Sequence, residues 1–197
     1  MIIFLLISGI NIFITKKENE FLKVIKKIEN IQSFSINVQR IQGEMEISLE
    51  GEANIEENSF SLTKGGINTG VDLVKLIYKQ QEKKIDYEAI LNNKKIYETS
   101  ILDIYDLNDL NVNVLPQYLI ELLKEDNLEK VSEGEYQKEI STIDWLRFEE
   151  LFKIFYGTTL DVDLNETCTI TISIQNDKIT TVKLTEENNQ LNISIEY

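Results

Sequence analysis

The stretch that decides the fold is 44-EMEISLEGEANIE-56, in which apolar and polar residues alternate without a break. One set comprises Met45, Ile47, Leu49, Gly51, Ala53 and Ile55, and the other comprises Glu44, Glu46, Ser48, Glu50, Glu52, Asn54 and Glu56. Because successive side chains of a strand point to opposite faces, the pattern predicts one buried face and one solvated, acidic face. At roughly 3.3 Å per residue this strand would extend about 43 Å, so we expect it to bend, with Gly51 at the bend. The stretch therefore predicts a large, curved antiparallel sheet.

The end of the chain repeats this alternation in three segments. Their apolar positions are Cys168, Ile170, Ile172 and Ile174, then Val182 and Leu184, then Leu191, Ile193, Ile195 and Tyr197. Turn-forming residues separate the segments, at Asn176-Asp177 and at 187–189. The pattern predicts a three-strand antiparallel meander with one apolar face.

Further strands are predicted between these two regions. Alternation or β-branched enrichment marks residues 34–38, 60–62, 85–91, 95–100 and 135–140. Asn92-Asn93-Lys94 is a hairpin signal between two of them. The segment 71–81 is compatible with a helix or a strand, and its extended neighbours favour a strand.

Three segments show helical periodicity. Residues 18–32 place Phe21, Val24, Ile25, Ile28 and Ile31 on one face. A second helix has Pro116 in its first turn and an apolar stripe made of Tyr118, Leu119, Leu122 and Leu123. A third is expected to start at Ser141–Asp144 and to end near Gly157, with Trp145, Phe148, Phe152 and Phe155 sharing one face. This aromatic helix must pack on a broad apolar surface.

Composition favours one globular domain. The chain has 197 residues, 42% of them apolar, and Pro116 is its only proline, so no proline-rich linker divides it. The formal charge of -14 argues against partners that are polyanions, which excludes nucleic acid as the expected ligand. Solubility is the simplest role for this spread of acidic residues.

The sequence argues against most catalytic and metal chemistry. It contains no histidine, which removes Ser-His and Cys-His catalysis and the histidine-based zinc and iron sites. Cys168 is the only cysteine, so the chain has no internal disulfide. Asp161, Asp163 and Asn165 alternate like the start of a calcium loop, but Glu166 stands where that loop needs glycine. We therefore predict no catalytic residue, metal or cofactor, although a carboxylate pair for glycoside hydrolysis stays open.

The first residues contain an apolar run from Ile2 to Ile14. This run is too short to span a bilayer core of about 30 Å, but it suits the central region of a secretory signal. No basic residue precedes the run, and Ile10 stands where a lipidated cysteine would follow Leu6-Ile7-Ser8-Gly9. We expect residues 1–15 to be a signal peptide or anchor, residues 16–197 to be a single half-barrel domain, and the protein to be extracytoplasmic. The alternative is that the run forms a buried first element of the fold.

The order of elements resembles the LolA/LppX-like superfamily of bacterial lipoprotein carriers and cell-envelope lipoproteins. The resemblance lies in the apolar leader, the helix at 18–32, the long alternating strands, two further helices and the closing meander. It implies an α+β fold, a curved antiparallel sheet forming an incomplete barrel, with two to three helices on its concave face. It also implies that an apolar ligand or acyl chain is held between the sheet and the helices. Neither Arg40 nor Arg147, the only arginines, can be assigned to the arginine that the carriers use in release.

Three functional hypotheses follow. Neither of the first two requires catalysis. The first is a cell-envelope protein, expected to be monomeric, that binds an apolar ligand or a lipidated partner. Its candidate ligand-binding residues are Trp145, Phe148, Phe152 and Phe155 on the helix and Leu49, Ile172 and Ile193 on the sheet. The second is a protein-binding module of the same fold, in which the helix fills the concave face and an exposed strand edge recruits a protein partner. The third, a hydrolase acting through two carboxylates, is the least favoured.

Overall fold

The structure, a computed structural model, describes residues 20–65, 73–79, 84–92, 94–101, 112–125, 127–141, 144–145, 167–187 and 189–197. These residues form one antiparallel sheet of eleven strands and two helices, which makes the fold α+β. The apolar leader at 1–15, the predicted calcium-like stretch at 161–166, and Phe148, Phe152 and Phe155 lie outside the described residues.

The elements follow in chain order as α1 at 20–29, β1 Ser33–Gln42, β2 Met45–Asn54, β3 Ser59–Gly65, β4 Leu73–Lys79, β5 Lys84–Leu91, β6 Lys94–Ile101, α2 Val114–Lys124, β7 Glu129–Ser132, β8 Glu135–Ser141, β9 Thr167–Gln175, β10 Lys178–Glu186 and β11 Asn189–Glu196. In space the strands run in the order β6-β5-β4-β3-β2-β1-β11-β10-β9-β8-β7. The first and last strands of the chain, β1 and β11, are therefore neighbours in the middle of the sheet. Among the described strands, β6 and β7 are the two edges, so the curved sheet is an incomplete barrel.

The strand that decides the fold keeps the predicted alternation but is shorter than predicted. It was expected to cover 44–56, whereas β2 covers Met45–Asn54. Its two ends enter turns, because Gly43 at φ 57° turns the chain before β2 and Asn58 at φ 44° turns it after β2. The register of β2 against β1 passes through Gly51 without a bulge, with Gly51 opposite Ile36.

Most of the other elements match the sequence prediction. The ambiguous segment is a strand, β4, and Asn92 turns the chain between β5 and β6 at φ 51°. The closing meander of β9, β10 and β11 is present as predicted. One element was missed, because the four exposed residues of β7 carry no apolar alternation. They pair with β8 and form the edge of the sheet.

One face of the sheet is buried beneath α1 and α2. The buried residues of α1 are Phe21, Val24, Ile25 and Ile28, and those of α2 are Leu115, Pro116, Tyr118, Leu119, Leu122 and Leu123. Except for Pro116, they belong to one hydrophobic cluster with the apolar inward residues of β1, β2, β3 and β8–β11. We call this buried face the inner face and the opposite one the outer face. The helices therefore lie on the concave side, as the resemblance implied.

Candidate functional site

The centre of the inner face is a row of apolar side chains that crosses six strands, which we call the central row. Its members pair in register as Tyr136, Ile172, Val182, Ile193, Val38 and Leu49. All six are fully buried. The three sheet residues predicted to line a ligand site, Leu49, Ile172 and Ile193, therefore lie on a single row. The inner face offers a continuous hydrocarbon wall.

Helix α1 is attached to this row at Tyr136. The rings of Phe21 and Tyr136 meet edge to face, with centroids 4.7 Å apart. The Tyr136 hydroxyl donates a hydrogen bond of 2.6 Å to the carboxylate of Glu20. Burial, and then this bond and the charge of Glu20, raise the pKa of Tyr136 far above its ordinary value. The phenol therefore stays protonated and joins the start of the described part of α1 to the sheet.

Helix α2 crosses the same face. Near its start, the backbone N–H of Val112 donates to the side-chain oxygen of Asn58 at 2.8 Å. At its other end, the ammonium of Lys138 on β8 forms an ion pair with Glu125, the residue that follows the helix. These contacts hold the start of α2 to the turn between β2 and β3 and its end to β8, on opposite sides of the central row.

The aromatic helix begins where the sequence predicted. The Ser141 hydroxyl accepts a hydrogen bond from the N–H of Asp144 at 3.3 Å and lies 2.8 Å from its carboxylate, as in an N-terminal cap. Trp145 follows in helical conformation and is 1% exposed. The structure thus places Trp145 in the core with Leu49, Ile172 and Ile193. Whether Phe148, Phe152 and Phe155 join them stays a prediction.

The inner face becomes polar at one end, next to the hairpin turns after β1 and β10. Gln42, Asn189 and Glu186 pair across β1, β11 and β10, and Arg40 lies two residues before Gln42 on the same face. The Arg40 guanidinium donates to the Gln42 side-chain oxygen at 3.2 Å, and Asn189 Nδ2 donates to Glu186 Oε2 at 3.1 Å. Arg40 is 2% exposed and Glu186 is 7% exposed. We call these four residues the polar end.

Cys168 lies beside the polar end. Thr169 of β9 is in register with Thr185, which brings the next inward residues, Cys168 and Glu186, to neighbouring positions. Burial, and then the negative charges of Glu186 and Asp144, raise the pKa of the Cys168 thiol to about 12. The thiol is therefore protonated and unreactive at neutral pH, as predicted for a buried cysteine. Ser141, at the end of β8, pairs with Thr167 next to Cys168, so the turn that carries Trp145 lies at this end of the sheet.

The outer face has the opposite chemistry. A surface groove of about 490 Å³ runs across it and is lined by Ser35, Ile36, Asn37, Glu50, Gly51, Glu52, Ser61, Thr63, Ser194 and Glu196. Three carboxylates and several hydroxyls make this groove unsuitable for a hydrocarbon chain. The apolar surface of the sheet is therefore its inner face.

The structure shows no metal-binding or membrane-spanning feature within the residues it describes. No group of three or more potential metal ligands occurs among them. None of the helices in these ranges has the length and hydropathy needed to cross a membrane.

Arg40 and Glu186 were not predicted as site residues. The signal was present, because both occupy inward positions of otherwise alternating strands: Arg40 continues Phe34, Ile36 and Val38, and Glu186 continues Val182 and Leu184. In the sequence alone, a charged residue at such a position looks like the end of the apolar alternation. Only the strand lengths show that the pattern continues through these charges.

Comparisons with known proteins place this architecture. No protein-family model matches the chain, and no curated protein matches it by sequence. Among solved structures, LprF from Mycobacterium bovis is similar over 92% of both chains, with a TM-score of 0.55 and 11% identity. The lipoprotein LppX from Mycobacterium tuberculosis is similar over 92% of this chain and 94% of its own, with a TM-score of 0.51 and 9% identity. At these identities the likeness concerns the fold. The chain has the LolA/LppX-like fold that the layout of its sequence predicted.

Proposed function

We propose that this protein is a non-enzymatic, extracytoplasmic protein of the bacterial cell envelope that binds an acyl chain between its sheet and its helices. The observation that carries the proposal is the central row, an uninterrupted apolar wall across six strands. Burying hydrocarbon against such a wall stabilises a complex by about 25 cal/mol per Å². The likeness to the lipoprotein LppX supports the same conclusion through the fold.

Binding is tested first on the protein as it is purified. We expect gentle mass spectrometry to show protein with a copurified lipid, and a fluorescent fatty acid to quench Trp145, the only tryptophan. Trp145→Ala should weaken lipid binding, measured by mass spectrometry, more than it lowers the melting temperature of the empty domain. Val131→Ala is the matched control, because Val131 is an apolar residue of the same sheet that is 52% exposed. Empty protein with no response of Trp145 to any lipid class would contradict the proposal.

The compartment is tested separately through the leader. Residues 1–15 fused to an export-dependent reporter enzyme should give activity outside the cytoplasm. A chain starting near Lys16 should fold as a soluble, mostly β monomer. If removing the leader unfolds the domain, the apolar run belongs to the fold, and the assignment to the cell envelope loses its support.

A protein-binding module remains the second candidate, because β7 leaves one edge of the described sheet uncovered. All four of its residues are exposed, Val131 among them. The edge is short and carries Glu129 and Lys130, and short charged edges are a common protection against strand pairing. We therefore favour the apolar inner face over the edge as the functional surface. Pull-down of a protein partner that depends on Val131, without lipid binding, would reverse this preference.

A further inference from the structure

Glu186 has a buried carboxylate oxygen that the fold does not satisfy. Its Oε2 accepts a hydrogen bond from Asn189, but its Oε1 is fully buried and has no hydrogen-bond partner among the described residues. A buried acceptor without a donor costs free energy, more so when it is charged, and each such group needs an explanation. A donor supplied by a ligand would provide one.

The position of Glu186 fits an amphipathic ligand. It lies at the end of the inner face, where the rows of Ile, Leu and Val change into Gln42, Asn189 and Glu186. A chain lying along the apolar rows would therefore bring its polar head to this end. Trp145 follows the end of β8, where Ser141 pairs with Thr167 next to Cys168, so its fluorescence can report on the site.

The charges of the polar end select among head groups. Arg40 and Glu186 carry opposite charges, so a carboxylate or phosphate head that Arg40 attracts is repelled by Glu186, and an ammonium head that Glu186 attracts is repelled by Arg40. A hydroxyl can donate to Glu186 Oε1 and can accept from Arg40 or from an amide N–H of Gln42 or Asn189. Asp144 adds a second negative charge nearby, but its carboxylate already has the Ser141 hydroxyl at 2.8 Å.

We propose that the polar end, built by Arg40, Gln42, Glu186 and Asn189, binds an uncharged, hydroxyl-bearing head group of a lipid, with Glu186 accepting the hydroxyl hydrogen bond. This inference rests on the proposed function, because it assigns the head of the ligand whose acyl chain the inner face holds. The class of ligand is therefore a neutral lipid with free hydroxyls, such as an acylglycerol or a glycolipid.

The experiment compares probes that share one acyl chain and differ in the head. Monolaurin, methyl laurate, lauric acid and dodecylamine are titrated into the unmodified chain, and Trp145 fluorescence and calorimetry give the dissociation constants. We expect monolaurin to bind about tenfold or more tightly than each of the others, since a hydrogen bond to a buried charged group discriminates by that order. Glu186→Gln should remove most of this preference, while Glu196→Gln, the same change at an exposed position on the outer face, should keep it.

The outcomes separate the two proposals. If all four probes bind equally, or if lauric acid or dodecylamine binds best, the head-group assignment is wrong and acyl-chain binding stands. If none of the probes binds, acyl-chain binding itself fails, and the head-group assignment fails with it. If Glu186→Gln does not fold, the probe series on the unmodified chain still decides, because it needs no substitution.

Discussion

The inner and outer faces of the sheet are built from the same strands, yet only one of them can hold the fold together. Leu49 and Glu50 are neighbours in β2, and the first is fully buried while the second is exposed. Across the six strands of the central row, the buried apolar inward residues belong to one cluster with the buried residues of α1, α2 and Trp145. The outward residues are mostly serine, threonine, asparagine and glutamate. Stability therefore resides on one face, and the other keeps the protein in solution.

The strongest way to break this comparison is to truncate one residue on each face of β2. Leu49→Ala removes a fully buried side chain and leaves a cavity, so we expect the free energy of unfolding to fall by about 3–5 kcal/mol. Glu50→Ala removes a solvated side chain and should change it by less than about 0.5 kcal/mol. Urea unfolding of both variants gives the two values. Similar losses at both positions would mean that the outer face is also covered, and the open sheet would be wrong.

Cys168, beside the polar end, sharpens the comparison. It tests whether this end of the inner face excludes solvent and reagents as the apolar rows do. Cys168 is buried and its thiol has a pKa raised to about 12. We expect its reaction with a disulfide reagent at pH 8 to be about 100-fold or more slower in the folded chain than in denaturant, since the thiolate is the reactive form. The control is the same reaction in denaturant, where the thiol has its ordinary pKa.

The same thiol makes stability depend on pH in a defined direction. A folded-state pKa above the ordinary value of 9.0 means that the folded chain retains the proton longer than the unfolded chain does. The stabilisation is fully present below pH 9 and is lost as pH rises toward about 12. Cys168→Ala should reduce the fall in the free energy of unfolding between pH 9 and about pH 12. A folded thiol that reacts as fast as the denatured one would show that the polar end is open to solvent.

The two faces also show how much of the molecule the sequence could predict. Alternation identified the strands at both ends of the chain and the buried members of each, because the period of two directly reports a half-buried sheet. Alternation overestimated the length of β2, because turns at Gly43 and Asn58 end the strand before the alternation in the sequence ends. It missed β7, whose four exposed residues have no buried face to report.

The candidate site was predictable only in its apolar part. Leu49, Ile172 and Ile193 follow from alternation, and their meeting in one row follows from the register, which the sequence does not contain. Arg40 and Glu186 were missed for a related reason. A charge at an inward position ends a hydrophobic pattern, and only the neighbouring strands show that it is buried rather than at the end of a strand.

A third test compares a hydrogen bond on each face. Tyr136→Phe removes the bond from the buried phenol to Glu20 and keeps the ring contact with Phe21, so we expect a loss of about 1–2 kcal/mol. On the outer face, Gln39 donates to Glu46 at 2.6 Å between exposed side chains, and Glu46→Ala, which keeps the bond from Asn192 to Gln39, should cost less than about 0.5 kcal/mol. Thermal unfolding with circular dichroism distinguishes the two. Equal effects would show that burial adds nothing to the Tyr136 bond, and the attachment of α1 at this point would then be unimportant.

The smallest expected effect concerns the outer charges themselves. Glu50 and Glu52 line the same groove as Glu196, in a chain whose formal charge is -14, so their like charges repel one another. Glu50→Lys should therefore leave stability unchanged or raise it by a few tenths of a kcal/mol at low salt, because exposed charges contribute about 0–1 kcal/mol. At high salt the difference from the unmodified chain should vanish, since screening removes interactions between exposed charges. Urea unfolding at two salt concentrations measures this, with Glu50→Gln as the control that removes a charge without reversing it. A loss above about 1 kcal/mol that persists at high salt would show that Glu50 makes a specific contact, and the outer face would then contribute to the fold through more than its solubility.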